Sequence, residues 1–465
     1  MNACIETAPR TLGAPEPVVH LDPAPARWPE LLAPHALSDE QRRFREQLAL
    51  PTDRPIIMGG HQTHLWHPGI LAKLLAANEL GARTGSAVAW LAVDLDDHDV
   101  FRVPFPEHDA RGQLARGWWN AAAGNVSANA PGTPAFAKPA VHPAPLPADT
   151  AQATMPHWVR ARLELARAAL AGHADAPNAA TQVTSALFDL LDPITPRPLV
   201  VYASRLAHTD LFTRTMAHLR ANPAGAHATY NDAVSRFPDA RVRALGADPT
   251  RGVELPLWRV DEHGVRRPVF AADLSRTPDD AFIPRGMLMS ALVRLAGCDL
   301  FIHGTGGRAY EPINDAWIGA WLDGVRPAPF VVASADLLLP LGGRGATDAE
   351  ARTARWRAHH ARHHPADVGD DAAERERDAL VHAIAALPFR SPERAAGFAD
   401  LHRLLAGYRR AHAPALAALA AAADDTERRA AERLVREDRA WPGVLHDRAS
   451  VLALRARVER AFATP

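Results

Sequence analysis

Lysine is almost missing from this chain. Of 52 basic residues, only Lys73 and Lys138 are lysine; the rest are arginine. An ammonium is a compact point charge that arginine does not replace everywhere, so a lysine kept inside an apolar helix invites a functional reading. Cysteine is scarce as well: Cys4 and Cys298 are too few for a disulfide framework. No apolar run reaches the roughly 18 residues that a membrane span needs. The first residues lack the basic stretch and apolar core of a secretory leader. A net charge of −1 offers no electrostatic footprint for nucleic acid or for an anionic membrane. There is no Walker loop, no GxGxxG and no nucleophile elbow. These absences leave a soluble, cytoplasmic protein as the expectation, with small molecules rather than nucleic acid or membrane as partners.

What is present is a long chain with a good core. Its 465 residues suffice for two to three domains, and an apolar share of 47% supports them. The stretch from Arg54 to Asp99 organises the rest. Ile56, Ile57 and Met58 form a short apolar run ending in Gly59-Gly60, which suits a buried parallel strand and then a loop. Pro68 fits a first helical turn. Ile70, Leu71, Leu74, Leu75 and Leu80 follow at helical spacing, with Gly81 placed as a C-cap. Ala87 to Val93 is a second apolar strand, running into the acidic tip Asp94 to Asp99. A β-α-β unit is nearly always right-handed, so the loop Gly59 to His67 and the acidic tip should face one crevice at the carboxyl edge of a sheet.

Around this unit, residues 1–53 are Pro- and Ala-rich with one helix near Ser38 to Leu48. Residues 100–150 read as an irregular insertion. Within it, Trp118-Trp119 could line a pocket or pin the loop to the surface; we favour the pin. Strands are expected at Leu199 to Ser204, Cys298 to His303 and Phe330 to Ala333, a hairpin at Glu254 to Leu274, and helices at His208 to Leu219, Met287 to Leu295 and Pro312 to Leu322. The alternation is that of a doubly wound α/β domain over residues 1–345. From 346 to 440 the chain turns Ala-, Arg- and Glu-rich, and reads as a helical hairpin or coiled-coil arm broken near Pro365. Residues 441–465 end in a helix, Ser450 to Phe462, that could return to the core.

The chemistry concentrates at the crevice. His61, His64 and His67 precede a helix, whose start is an anion site. They could donate to phosphate or substrate oxygens; with Asp94, Asp96, Asp97, His98 and Asp99 they could instead hold a metal; or they could pack and cap. One aspartate of the tip could hold a substrate ammonium, and His98 could move a proton. Gly304 to Gly307 is a second glycine loop on the same edge, and Arg285 and Arg308 could bind carboxylate or phosphate. Cys298 sits in a buried strand, where a thiol is inert.

These residues resemble the cysteine-adding enzyme (cysteine ligase) family of bacillithiol synthesis. Gly60-His61-Gln62-Thr63-His64-Leu65, Pro68 and Lys73 are similar to its G-Q-Q-x-G-L loop, proline and lysine. Asp96-Asp97-His98-Asp99 is similar to its E-D-H-D, Ile283-Pro284-Arg285 to its arginine-proline segment, Gly304 to Tyr310 to its glycine-rich motif, and Pro442 to Arg448 to its terminal P-x-G-x-L-Q-E-R. His61 stands where that loop has its first Gln, His64 where it has Gly, and the glycine motif's glutamate is missing. The resemblance implies a Rossmann-like, nucleotidyltransferase-type core, a coiled-coil arm that makes a homodimer, and joining of cysteine to the amine of glucosaminyl-malate, an amino-sugar malate. Activating a carboxylate points to ATP with Mg, and no metal site of the protein's own is assigned.

On this reading the catalytic residues are His61, His64, Lys73 and His98, with the histidine loop and Lys73 stabilising developing phosphate charge. Gly60, Gln62, Asp94, Asp97, Arg285, Gly304, Gly306, Gly307, Arg308 and Tyr310 bind substrate. Two rival readings remain: a metal-dependent hydrolase or transferase using His61, His64, Asp97 and His98, and a non-catalytic dimeric nucleotide-binding module.

Overall fold

The computed structural model describes residues 16–32, 36–343 and 345–463. Cys4 lies outside them. The chain divides into two compact units: the described parts of Met1–Glu107, Arg116–Pro340 and Arg439–Pro465, and those of His108–Ala115 and Leu341–Asp438.

The first unit is mixed α/β. The central sheet contains β1 (Val18–Asp22), β2 (Ile56–Gln62) and β3 (Ala87–Val93). Next in sequence come β4 (Arg102–Asp109), β5 (Leu114–Asn120) and the two-residue β6 (Ala153–Thr154), which form a separate three-stranded sheet. So the stretch expected to be irregular is built around a hairpin, whose alternation was hidden by arginines and prolines. Trp119 is buried with its indole N–H on the Ala144 carbonyl at 3.3 Å, and Trp118 lies under Arg102; neither reaches the cavity described below. The central sheet resumes with β7 (Leu199–Tyr202). A third, antiparallel sheet follows, made of β8 (Ala247–Asp248), β9 (Gly252–Val260), β10 (Arg266–Phe270) and β11 (Phe282–Pro284). Then β12 (Leu300–His303) and β13 (Phe330–Asp336) return to the central sheet.

The central order is β1-β13-β12-β2-β3-β7, parallel throughout except for β1 at the edge. From β2 the chain steps outward to β3 and β7, then comes back to the other side of β2 as β12 and β13. The order therefore reverses between β2 and β12, and a crevice opens where their carboxyl ends diverge. Register follows burial: Ile57 and Ile302 point to one face, Met58 and Phe301 to the other, and both faces are covered.

Helices complete the unit. They are α1 (Asp39–Gln47), α2 (Pro68–Thr84), α3 (His157–Ala171), α4 (Ala179–Leu191), α5 (Asp210–Ala221), α6 (Pro223–Ser235), α7 (Gly286–Leu292) and α8 (Thr305–Trp321). α1 starts on a capping box, with Ser38 and Gln41 each accepting from the other's backbone N–H. α8 begins seven residues earlier than its apolar spacing indicates. Gly304 to Gly307 is thus its cap and first turn, where N–H groups need no intrahelical partner. Pro312 sits inside α8 and removes one backbone donor.

In the second unit, α9 (Asp348–His360) packs along α12 (Ala413–Arg436), and α10 (Asp371–Ala386) along α11 (Pro392–Ala411). The break near Pro365 is there as a 3₁₀ turn. The last segment splits at His412, because Pro414 starts a new helix. Back in the first unit, α13 (Arg448–Ala463) buries Val451, Leu454, Val458 and Phe462 against the α2 side of the sheet. Among the described residues, no helix is long and apolar enough to cross a membrane.

Candidate functional site

A cavity of about 590 Å³ sits at the crevice where the strand order reverses. Its floor comes from Gly60, His61 and Gln62 at the end of β2, His303 at the end of β12, and the start of α8; α2 contributes Lys73. Trp258 of β9, Arg266 of β10 and Met287 of α7 add an apolar, partly cationic wall. β2 runs on through Gln62, pairing His61 with Ala92 and Gln62 with Val93, so Gly59 to Gln62 is strand rather than loop. Gly60 is required there: a Cβ would lie 2.9 Å from the Leu91 Cβ and 3.0 Å from its carbonyl oxygen.

Lys73 is the centre of this arrangement. It is 3% exposed, and its ammonium donates to the Gly60 carbonyl at 2.5 Å. The ammonium also lies 5.2 Å from the centre of a Trp90 ring. Among the described residues no carboxylate pairs with it. Burial alone pulls its pKa from the ordinary 10.5 down to about 7. One carbonyl satisfies one of three ammonium protons. Near neutral pH the group is a partly protonated amine buried in a cavity wall, with no carboxylate paired to it among the described residues.

The helix start left without a side-chain cap is not the one that the histidine spacing suggests. His67 caps α2 itself, its Nδ1 accepting from the Gly69 N–H at 3.1 Å. By contrast α8 starts on Gly304, which has no side chain to cap with, and no side chain caps the helix. Gly304, Thr305, Gly306 and Gly307 line the cavity; the Gly307 N–H turns back to the Gly304 carbonyl at 3.0 Å, and the N–H groups of Thr305 and Gly306 are the first-turn donors at that wall.

The histidines form a stack leading away from the cavity. The His61 and His64 rings are 4.9 Å apart, edge to face, and His64 and His98 are 5.9 Å apart. Only His61 of these three lines the cavity. His98 Nε2 donates to the Thr63 carbonyl at 3.2 Å, and its buried Nδ1 has no protein partner. Burial, helped by nearby Lys73 and the other imidazoles, drives His61 far down and His64 to about 3; burial with Arg439 takes His67 to about 4. They are neutral donors or acceptors at pH 7, not cations. Among the described residues, no three His, Cys, Asp or Glu side chains gather in a metal-holding group.

The acidic tip is mostly spent on structure. Asp94 is buried, and its two oxygens accept from the Ser204 N–H at 2.8 Å and the Ser204 hydroxyl at 2.6 Å. It bolts β3 to the turn after β7 and has no face left for a substrate ammonium. Asp97 pairs with Arg266 at 2.8 Å, and Asp96 takes both Arg266 and the Gln62 amide. The expected arginines are also engaged elsewhere. Arg285 is neutralised by Glu254 at 2.6 Å and stacks on Trp258; Arg308 is 67% exposed and pairs with Asp22. Neither lines the cavity, whereas Arg266 and Arg439 do. Arg439 reaches it from beyond the helical segment, held by Asp336 and by Ser334 Oγ.

Asp94 gives a clean test of this reassignment. Asp94→Asn keeps an acceptor for the Ser204 N–H, so substrate KM should stay within about 3-fold, whereas loss of an ammonium ligand would cost 10-fold or more. Burial raises the Asp94 carboxyl to about 6, against the Ser204 hydrogen bonds. The native state then holds an extra proton between about pH 4 and 6, and this group's stabilisation is lost as pH rises through 6. Asp94→Asn removes that slope in a pH series of thermal melts.

Behind the cavity lies a buried polar network. Arg294, in the turn after α7, pairs with Glu311 of α8 and, at 2.7 Å, with Asp315. Glu311 accepts from the Ser290 hydroxyl at 2.5 Å and from the Asn314 amide Nδ2 at 3.3 Å. His303 Nε2 lies 2.9 Å from Glu311 Oε1, off the line of a straight hydrogen bond. Burial would raise the Glu311 carboxyl, but His303, Arg294 and Ser290 together outweigh it and hold it below its ordinary value. Burial keeps His303 below its usual value. No motif marks these residues in the sequence, because Arg294, His303 and Glu311 meet only through the fold.

Of the sequence candidates, Gly60, His61, Gln62, Lys73, Gly304, Gly306, Gly307 and Tyr310 share the cavity; His64, His98, Asp94, Asp97, Arg285 and Arg308 do not line it. No protein-family model matches the chain, and no curated protein matches it.

Proposed function

We propose that this chain is a carbon–nitrogen bond-forming ligase of the cysteine-adding type, acting in low-molecular-weight thiol assembly on a Rossmann-like, nucleotidyltransferase-type core. The observation that carries the reading is Lys73: a buried ammonium without a carboxylate, in a cavity that an uncapped helix start also lines. A carboxylate must be activated before an amine attacks it, and ATP is the simplest activator. Lys73 and the first N–H groups of α8 are suited to phosphate oxygens, and being pre-placed they stabilise the charge that grows as the phosphoryl group is transferred. His61 and Gln62 add neutral hydrogen-bonding groups at the same wall. The Trp258 and Met287 side offers apolar surface to the organic part of a substrate. Two sequence motifs of the resemblance, over 200 residues apart, meet in this one cavity, which supports the reading further.

The test is mass spectrometry on purified protein mixed with cysteine, glucosaminyl-malate and ATP-Mg, with each omitted in turn. The expected result is the cysteinyl conjugate only when all are present. Folded protein giving no conjugate overturns the ligase assignment, and a conjugate without ATP overturns the activation scheme.

A further inference from the structure

We infer that His303, oriented by Glu311, takes the proton from the attacking amine in this cavity. The inference rests on the ligase reading above and adds a residue that none of the motifs contains as a catalytic candidate.

His303 ends β12 and lines the cavity. Its ring is fixed on every side: Phe301 at 4.5 Å, Tyr310 at 5.6 Å and Phe330 at 5.9 Å between ring centres. Nε2 faces Glu311 at 2.9 Å. Glu311 is in turn immobilised by Arg294, Ser290 and Asn314, so it is a positioning residue with no freedom to swing away. The carboxylate 2.9 Å from Nε2, although off the line of a straight hydrogen bond, favours the proton on that nitrogen by charge and so leaves Nδ1 as the basic one. Nδ1 has only the Tyr310 hydroxyl nearby, at 3.5 Å. The next residue over it is Gly307, where a Cβ would sit 2.4 Å from Nδ1. Only glycine at 307 lets the first turn of α8 pack this closely on the ring. The charged and titratable groups that face the ring are Glu311 and Tyr310 on α8, Lys73 on α2 and Arg294 after α7.

The step balances without any further reactant. The amine nitrogen forms the C–N bond to the activated carbonyl carbon, the C–O bond to the phosphoryl group breaks, and that group leaves with the electron pair. The proton from the amine goes to His303 Nδ1. The resulting imidazolium is stabilised by Glu311 at the opposite nitrogen, as in other histidine–carboxylate pairs.

The experiment compares conjugate formation by the parent, His303→Gln and His303→Ala over pH 5.5–9, with thermal melts and ATP binding measured alongside. For His303→Gln we expect kcat to fall about 10²–10⁴-fold. KM should stay within a few-fold, with the acid limb of the pH profile gone. Exogenous imidazole should restore part of the His303→Ala rate, which a merely structural role would not allow. Parent-like turnover by folded His303→Gln overturns the inference and leaves the ligase reading standing. So does a rate loss with the parent's pH profile and no imidazole rescue. Parent protein that binds ATP and forms no conjugate overturns both together.

Discussion

Lys73→Met loses ATP binding and turnover while becoming more stable. Both effects follow from one fact: the ammonium is buried at 3% exposure and its protein partner is a neutral carbonyl. A cation pre-placed at the position of developing phosphate charge is worth about 10²–10³ in kcat, and more where it also binds the ground state. Methionine fills much the same volume and needs no solvation. Replacing an uncompensated buried charge by an apolar isostere should stabilise by roughly 1–4 kcal/mol. The sign with pH is determined too. The native pKa is near 7 and the unfolded one near 10.5, so the unfolded state binds more protons between those values and the parent gains stability as pH rises across them. The advantage of Lys73→Met is therefore full below pH 7 and fades toward pH 10.5. Thermal melts of both proteins from pH 6 to 10, beside ATP titrations, measure all of this. A destabilised variant that still binds ATP would show that Lys73 is an ordinary core residue.

Glu311→Gln has the largest expected effect on stability. It leaves the Arg294 guanidinium, buried with Glu311 behind the cavity, facing a neutral amide, with Asp315 as its one remaining carboxylate. Removing one partner of a buried pair costs about 3–5 kcal/mol. At roughly 2–4 °C per kcal/mol, that is a fall in Tm on the order of 10 °C. Changing the pair together, Arg294→Met with Glu311→Leu, should cost less than the two single changes added, because neither fully buried charge is left facing an apolar group and the half-exposed Asp315 can turn to water. Strict additivity in such a cycle would mean that the two side chains do not act as a pair.

Much of this architecture is legible in the residues, and the gaps have physical causes. The strand, helix and strand from Ile56 to Val93 stand out because apolar spacing and a proline at a helix start agree. The start of α8 was hidden because glycines read as loop, although a first turn tolerates them where its N–H groups await an outside partner. Pro312, at the point where the apolar pattern begins, reinforced that reading. The acidic tip shows the opposite limit. Five ionisable residues in six cannot reveal by type which carboxylate turns inward; Ser204, 110 residues on, claims Asp94, and Arg266 claims Asp96 and Asp97. Spacing alone does not separate the three histidines; of the roles open to them, His67 takes that of a cap, which its β-region backbone allows. Lys73 was legible for a different reason, because it is one of two lysines in a chain that otherwise uses arginine.

On the proposed function, Lys73 is the group that meets the phosphate. Isothermal titration of ATP into the protein at pH 8, in two buffers of different ionisation enthalpy, tests it most directly. At that pH the free ammonium has largely lost its proton, and a bound phosphate should bring it back. We expect binding with uptake of nearly one proton per ATP, and loss of that uptake in Lys73→Met. ATP binding with no proton uptake, or with the same uptake in the variant, would show that Lys73 does not hold the phosphate.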